Sequence, residues 1–263
     1  MLSKFLTGRR LLGAHLGLVL LFLYGPIAML MALSFNESGL ATAWGGFSTK
    51  WYGELVANTD IISAAVNSLL VATISTLIAA PIGTLLALGL ERTIKSAALD
   101  ALVFVPMIIP DIVLAIALLL FYSLLQMTLG LYSIVLSHVV FNIAFVAAIV
   151  RTRLSHFDPS IEEASLDLGA SEVTTFFKIT LPLIFPGIVA GALLAFTISM
   201  DEFVVAYFTA GPAQPTLPIL IYSMVRFGVT PDINALATIV VLVSITLLLM
   251  AQRFGAPLKG LNE

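Results

Sequence analysis

The 263-residue sequence is 60% hydrophobic and only 10% charged, which is typical of an integral membrane protein and excludes an ordinary water-soluble domain. Its formal net charge of −3 gives no reason to expect a nucleic acid partner. With no cysteine and three scattered histidines, it offers no disulfide, no Cys nucleophile and no ligand-spaced metal site.

The first predicted element is a membrane span over residues 11–33, preceded by Lys4, Arg9 and Arg10. This run exceeds the roughly 20 residues that cross a bilayer. It has no small-x-small cleavage site, so we interpret it as a retained span and not as a signal peptide. An aromatic-rich loop follows over residues 36–60. We expect its rings to anchor at the membrane interface, with contact to a soluble partner as the alternative.

Five further apolar runs complete a predicted all-α membrane protein with six transmembrane helices in a single domain. A polar loop, residues 158–182, separates the fourth and fifth spans, and a turn-rich loop, residues 211–231, separates the fifth and sixth. The five spans are predicted over residues 62–90, 99–125, 131–150, 183–208 and 235–250.

Basic residues set the expected orientation. With the N-terminus inside, ten of the twelve Lys and Arg residues lie on one side, and only Lys50 and Arg226 lie on the other. By the positive-inside rule both termini and loop 158–182 are cytoplasmic, and loops 36–60 and 211–231 are periplasmic. The expected location is a bacterial inner membrane.

Loop 158–182 is predicted to begin with a short helix. Asp158-Pro159 suits a helix start, because Asp can cap free N–H groups and Pro fits the first turn. Ser160 and Glu163 match a capping box. Five acids and no base over residues 158–175 argue against a helix lying on anionic lipid.

The same loop is predicted to turn once and then stop. Gly169-Ala170 breaks the helix, since Gly adopts a left-handed C-terminal turn without strain. Ser171-Glu172 restarts it, and Leu181-Pro182 ends it before the next span. We therefore expect a helix–turn–helix at the membrane surface.

The loop resembles a motif of membrane subunits of bacterial ABC importers. That motif is Glu-Ala-Ala, three residues, Gly, nine residues and Ile-x-Leu-Pro, and only Ser165, in place of the second Ala, departs from it. The resemblance implies a coupling helix that docks on an ATPase subunit. The residues expected to make this coupling contact are Glu163, Ala164, Ser165, Gly169, Ala170, Ile179, Leu181 and Pro182.

Three acids lie inside apolar runs: Asp111, Asp201 and Glu202. A charge at the bilayer centre costs about 2.5–3.5 kcal/mol, so such residues usually face a cavity or the bundle interior. No Lys or Arg lies within a predicted span, which favours a cationic passenger or protonated acids. We predict a pathway that these acids share with aromatic rings, which suit ammonium groups. The alternatives are acids that are merely hydrated or that cap a broken helix. The predicted aromatic members are Phe203, Tyr207 and Tyr222.

Segments along almost the whole chain resemble the spermidine/putrescine branch of these permeases. The resemblance implies the type I importer fold, a heterodimer with a sister permease, two copies of a cytoplasmic ATPase and a periplasmic solute-binding protein. It is carried by Phe47-Ser-x-x-Trp51-Tyr52, Asn67-Ser-Leu69, Ile109-Pro-Asp111-Ile-Val-Leu114, Ser199-Met-Asp201-Glu202-Phe203 and residues 216–231.

The sequence contains no Gly-x-x-x-x-Gly-Lys-Ser/Thr phosphate loop, so we expect ATP and Mg²⁺ to bind the partner ATPase and no cofactor to bind this chain. The expected function is the non-catalytic permease subunit of an ATP-driven importer for polyamines or related organic cations. The same machine for another organic solute is the first alternative, and a stand-alone secondary transporter is the second. A membrane enzyme is disfavoured, because no catalytic constellation is present.

Overall fold

The computed structural model describes residues 2–39, 43–93, 96–212, 214–226, 228 and 230–255. These residues contain no strand, and an isolated bridge pairs Asn36 with Phe47. The helices are α1 Leu2–Leu33, α2 Lys50–Ala57, α3 Thr59–Leu88, α4 Ala97–Ile108, α5 Asp111–Leu124, α6 Leu131–Leu154, α7 Ser160–Asp167, α8 Glu172–Thr175, α9 Leu181–Asp201, α10 Val204–Thr209, α11 Leu217–Arg226 and α12 Pro231–Gly255, with π-helical turns at Gly89–Thr93 and Phe176–Thr180.

Within the described part of the chain, five helical stretches are long and apolar enough to cross a membrane. Counting the bent pair α4 and α5 as one further crossing gives six. The five stretches are Arg10–Leu33, Thr59–Thr93, Leu131–Leu154, Glu172–Asp201 and Pro231–Met250.

The span predicted over residues 99–125 is not one helix. It breaks between α4 and α5, which meet at a bend of 103°. Ile109 and Pro110 are both extended, with ψ angles of 145° and 135°. Proline disfavours the helical conformation of the residue before it, and it cannot donate to the helix ladder. The break places Asp111 in the first turn of α5, where the helix dipole favours an acid.

The span predicted to run to residue 208 also ends early. α9 ends at Asp201, and Glu202 is extended with a ψ angle of 113°. A separate short helix, α10, follows. Neither Gly nor Pro lies at this point of the chain, so the break was not expected.

The chain divides into two compact units: the described parts of Met1–Ile62 with Ile221–Leu242, and those of Ser63–Leu220 with Val243–Glu263. In the first unit, ring stacking and hydrogen bonds order the loop after α1. The rings of Phe35 and Phe47 stack at 5.4 Å, and Nε1 of Trp51 donates to the Asn36 carbonyl at 2.6 Å. Trp51 therefore also takes part in folding the loop, whereas Trp44 is exposed, and the interfacial role expected of these rings stays a prediction.

The second unit packs around α6. Apolar clusters join α6 to α3 and α9 through Ala87, Val146 and Ile184, and to α5 and α10 through Leu114 and Val205. Close approach of α3 to α6 requires a glycine at position 83. A Cβ there would lie 2.8 Å from the carbonyl oxygen of Ile143 and 2.9 Å from Cβ of Val146.

A chain of four hydrogen-bonded, buried polar side chains also ties α3, α6 and α9 together. Nδ1 of His138 lies 2.6 Å from Oγ of Ser199, which lies 3.3 Å from Oγ of Ser75. Nδ2 of Asn142 donates to that same Ser75 oxygen at 3.1 Å. Hydrogen bonds across helices are a common way to fix packing inside a bilayer.

Candidate functional site

The first candidate site is a hairpin, residues 158–182, whose first arm is α7. The turn after α7 is a Schellman motif. The N–H of Gly169 donates to the Leu166 carbonyl at 2.9 Å, and the N–H of Ala170 donates to the Ser165 carbonyl at 3.1 Å. Gly169 has φ +86°, with open space around a hypothetical Cβ. Backbone conformation, and not crowding, therefore requires glycine here, as the sequence predicted.

The start of the hairpin is only partly as predicted. Asp158 accepts a hydrogen bond from the Ser160 backbone N–H at 3.0 Å. That bond, and after it one from the Ser160 hydroxyl, lowers the pKa of Asp158 below its ordinary value. The capping box predicted for Ser160 and Glu163 does not form. Ser160 is already the first helical residue, and Pro159 at the N-cap offers no side-chain acceptor.

The second arm begins as predicted but does not end where predicted. The Ser171 hydroxyl accepts from the Thr174 N–H at 3.3 Å and caps α8. The helix then continues from Glu172 to Asp201, so Leu181-Pro182 does not terminate it. Pro182 lies in the first turn of α9, directly after the π-helical turn Phe176–Thr180. The altered hydrogen-bond register of such a turn accommodates proline's missing N–H.

The predicted coupling residues divide between the outside and the inside of the hairpin. Glu163, Ala164, Gly169 and Pro182 are exposed. Ser165, Ala170, Ile179 and Leu181 are half-buried. Oγ of Ser165 lies 2.9 Å from Oγ1 of Thr175, so Ser165 joins the two arms of the hairpin. The exposed apolar side chains of the hairpin are Ile161, Leu166, Leu168, Val173 and Phe177.

Glu162 anchors the hairpin to the rest of its unit, a role that the sequence reading missed. Its Oε1 lies 2.9 Å from Nη2 of Arg92, just beyond α3, and it accepts a hydrogen bond from the Thr180 hydroxyl. Arg92 also packs over the Phe157 ring at 5.5 Å. A signal did exist in the Glu162-Glu163 doublet. Consecutive residues on a helix point about 100° apart, because a turn takes 3.6 residues, so both acids cannot share one face.

A second ion cluster lies beside this anchor. Nε of Arg151, near the end of α6, donates to Oε2 of Glu91 at 2.8 Å. Its two terminal nitrogens donate to the two carboxylate oxygens of Asp100 at 2.9 and 3.3 Å. From the sequence, Arg151 was counted only among the basic residues that indicate the orientation of the chain. The planar fork of Arg suits this bidentate contact, whereas Lys cannot make it.

The three acids predicted to lie in a pathway are not all together. Asp111 and Glu202 line one cavity of about 230 Å³, walled by Phe141, Phe145 and aliphatic side chains. Oε1 of Glu202 also accepts the N–H of Val205 at 2.8 Å, so this acid caps α10, as one of the alternatives stated. Asp201 does not line the cavity. Its carboxylate accepts from Oγ of Ser244 at 3.1 and 3.3 Å.

Two of the predicted aromatic members, Phe203 and Tyr207, contact each other. The rings of Phe203 and Tyr207 lie 5.4 Å apart, and Tyr207 is exposed. Neither ring lines the cavity that holds Asp111 and Glu202. Tyr222 lies on α11, in the part of the chain that belongs to the first unit, and is exposed. Phe141 and Phe145, which do line the cavity, were not predicted.

Among the residues that the structure describes, no group of three or more His, Cys, Asp or Glu side chains could hold a metal ion.

Comparison with protein families gives a match over residues 79–256 to the binding-protein-dependent transport system inner membrane component. Among curated proteins, the spermidine/putrescine transport system permease protein PotC of Escherichia coli strain K12 is 43% identical over 249 residues, 94% of each chain. The putrescine transport system permease protein PotI of the same strain is 44% identical over 228 residues, 83% of this chain and 81% of PotI.

Among solved structures, a bacterial ABC transporter involved in the import of the acidic polysaccharide alginate superimposes with a TM-score of 0.72. The alignment covers 97% of this chain and 98% of that one at 19% identity. The predicted fold class, an all-α membrane protein with the ABC importer permease fold, is confirmed.

Proposed function

Because the chain belongs to the family of binding-protein-dependent transport system inner membrane components, we propose that it is the permease subunit of an ATP-driven polyamine importer. Members of this family are non-catalytic, multi-pass proteins of the inner membrane. Polyamine as the solute is supported by 43% identity to a spermidine/putrescine permease over 94% of both chains.

The observation that carries this proposal is the cavity shared by Asp111 and Glu202. Two carboxyl-bearing side chains line it, and none of its lining residues is basic. A carboxylate attracts an ammonium group, and the faces of Phe141 and Phe145 provide further favourable contact for a cation. An anion would meet repulsion at the same place. Glu202, which caps α10 through the Val205 N–H, is one of the two carboxyl groups that a passenger would meet in this cavity.

Energy would enter through the hairpin. Its exposed residues Glu163, Ala164 and Leu168 would contact a cytoplasmic ATPase, which binds the ATP and Mg²⁺, and two copies of that ATPase would serve a heterodimer of this chain and a sister permease. Leu168 is 90% exposed, which suits burial in a partner groove better than exposure to water. Closure of the ATPase would shift the spans between inward-open and outward-open states, because the two states differ in affinity for its nucleotide-bound form.

This arrangement requires both termini and the hairpin on the cytoplasmic side. Basic residues support that orientation, since ten of the twelve fall on the same side as the N-terminus. The loops of residues 36–60 and 211–231 would then face the periplasm. There they would meet a solute-binding protein of the kind named in the family description.

The solute is tested by purifying the transporter with its binding protein and identifying the bound small molecule by mass spectrometry. We expect putrescine or spermidine, and ATP-dependent uptake of that same molecule into proteoliposomes. Another organic solute in the binding protein would refute the polyamine assignment while leaving the importer intact. Uptake without any ATPase would refute the importer itself and favour a secondary transporter.

A further inference from the structure

Two adjacent acids at the start of α7 occupy different surroundings. Glu162 is half-buried, where it pairs with Arg92 at 2.9 Å and accepts a hydrogen bond from Thr180 at the foot of α9. Glu163 is exposed, and its carboxylate makes no ion pair with the described residues. The first acid holds the hairpin to its own chain, and the second points away from it.

The Glu162 contact is the first link of a longer ionic chain, formed by Glu162, Arg92, Glu91, Arg151 and Asp100. Arg92 and Glu91 are consecutive on the π-helical turn Gly89–Thr93 that ends the second span. Glu91 bonds Arg151 at 2.8 Å, and Arg151 holds Asp100 at 2.9 Å. The ionic chain therefore joins α7 to the end of α3, to α6 and to the first turn of α4.

We infer that the Glu162–Arg92 pair is the joint through which movement of the hairpin reaches the spans, and that Glu163 serves the contact with the ATPase instead. This inference rests on the proposed function, because it assigns a route to the coupling that such an importer needs. Glu162 is a positioning residue: it acts through Arg92 and Thr180 and touches neither solute nor nucleotide.

The burial of the pair supports a role in geometry over a role in stability. The side chains of Arg92 and Glu162 are 36% and 19% exposed, and the members of the second cluster are about one-third exposed. Pairs this wet contribute little to folding. Arg92 meets Glu162 through a single contact, whereas the planar fork of Arg151 holds both carboxylate oxygens of Asp100 and fixes their distance and direction. π-helical turns occur frequently at functional sites, and the turn Gly89–Thr93 carries both Glu91 and Arg92.

The test uses the whole complex, purified with its ATPase, sister permease and binding protein, and compares E162Q with E163Q. Three quantities are measured: the ATPase retained on purification, ATP hydrolysis with and without binding protein, and putrescine uptake into proteoliposomes. For E162Q we expect wild-type ATPase retention but at least fivefold more ATP hydrolysed per putrescine. For E163Q we expect loss of ATPase retention. Wild-type ATP use per putrescine in E162Q, or ATPase loss equal to that of E163Q, would overturn the inference.

Charge reversal guards against a variant that merely misfolds. E162R and R92E should each impair coupling, and the double variant E162R/R92E should restore it to within twofold of wild type. If the double variant couples ATP hydrolysis to uptake no better than either single variant, the role inferred for the Glu162–Arg92 pair is wrong. A wild-type complex that takes up no polyamine would refute the proposed solute alone, because ATPase retention requires no polyamine and still compares E162Q with E163Q.

Discussion

Asp111 and Glu202 line the same cavity, although the sequence places them on different spans, and each lies at a helix break. Asp111 follows the break at Pro110, and Glu202 is itself the extended residue between α9 and α10. Interrupted helices inside a membrane leave backbone and side-chain groups free to meet a solute, and such breaks are tolerated where they line a cavity.

The first prediction concerns these two acids. D111N and E202Q should each lower the maximal rate of putrescine uptake about tenfold, the factor that corresponds to 1.4 kcal/mol. The reason is the loss of one charge from a cavity that has no basic lining residue. Initial uptake rates in proteoliposomes measure this, with ATPase retention checked in parallel.

Asp201 is the matched control, because it is adjacent to Glu202 in the chain but lies outside the cavity, bonded to Ser244. D201N should stay within twofold of the wild-type uptake rate. A larger loss of uptake rate in D201N than in E202Q would show that the pathway does not pass through the cavity lined by Asp111 and Glu202.

The second prediction concerns Gly169. Its φ of +86° costs a residue with a Cβ roughly 1–2 kcal/mol, and no neighbouring atom adds a clash. G169A should therefore raise hydrogen exchange in the hairpin and reduce ATPase retention, and G169N should have a smaller effect, since Asn tolerates this region better. Gly53, on helix α2 with open space around it, is the control. G53A should leave the hairpin unchanged, and equal exchange in G169A and wild type would contradict the strain argument.

The third prediction concerns the chain of buried polar side chains that runs from His138 through Ser199 and Ser75 to Asn142. S199A removes the partner of His138 Nδ1 and one partner of Ser75. Hydrogen bonds within membrane bundles average about 0.6 kcal/mol, and an unpaired buried group costs about 1–3 kcal/mol, so we expect a loss near 1 kcal/mol. Thermal unfolding in detergent measures it. T197A is the control, because Thr197 bonds only the Leu193 carbonyl one turn earlier in its own helix. Equal destabilisation by both variants would show that the hydrogen bonds between helices contribute no more to stability than a bond within one helix.

Features that depend on local chain chemistry could be predicted from the sequence. The turn at Gly169 follows from the left-handed conformation that a Schellman motif requires. The restart at Ser171 follows from its capping hydroxyl. In contrast, Pro182 was wrongly expected to end a helix. Proline is tolerated in a first turn, and nothing in the sequence indicated that a π-helical turn precedes it.

Features that depend on contacts between distant segments could not be predicted. The Glu162–Arg92 pair joins the hairpin to the end of α3, and the motif itself directed attention to Glu163 instead. Asp111 and Glu202 were each identified as costly intramembrane acids, but hydropathy alone gave no means of pairing them or of separating Asp201 from them. Phe141 and Phe145 were indistinguishable by sequence from the other aromatic residues of the spans.

A cytoplasmic ATPase would drive this permease through its hairpin, and a single-cysteine variant tests this claim most directly. The natural chain has no cysteine, so A164C places a single thiol at an exposed position of α7. A membrane-impermeant thiol reagent should label A164C in inside-out vesicles but not in right-side-out vesicles, and bound ATPase should protect the thiol. Labelling from the periplasmic side, or labelling that the ATPase does not change, would contradict the claim.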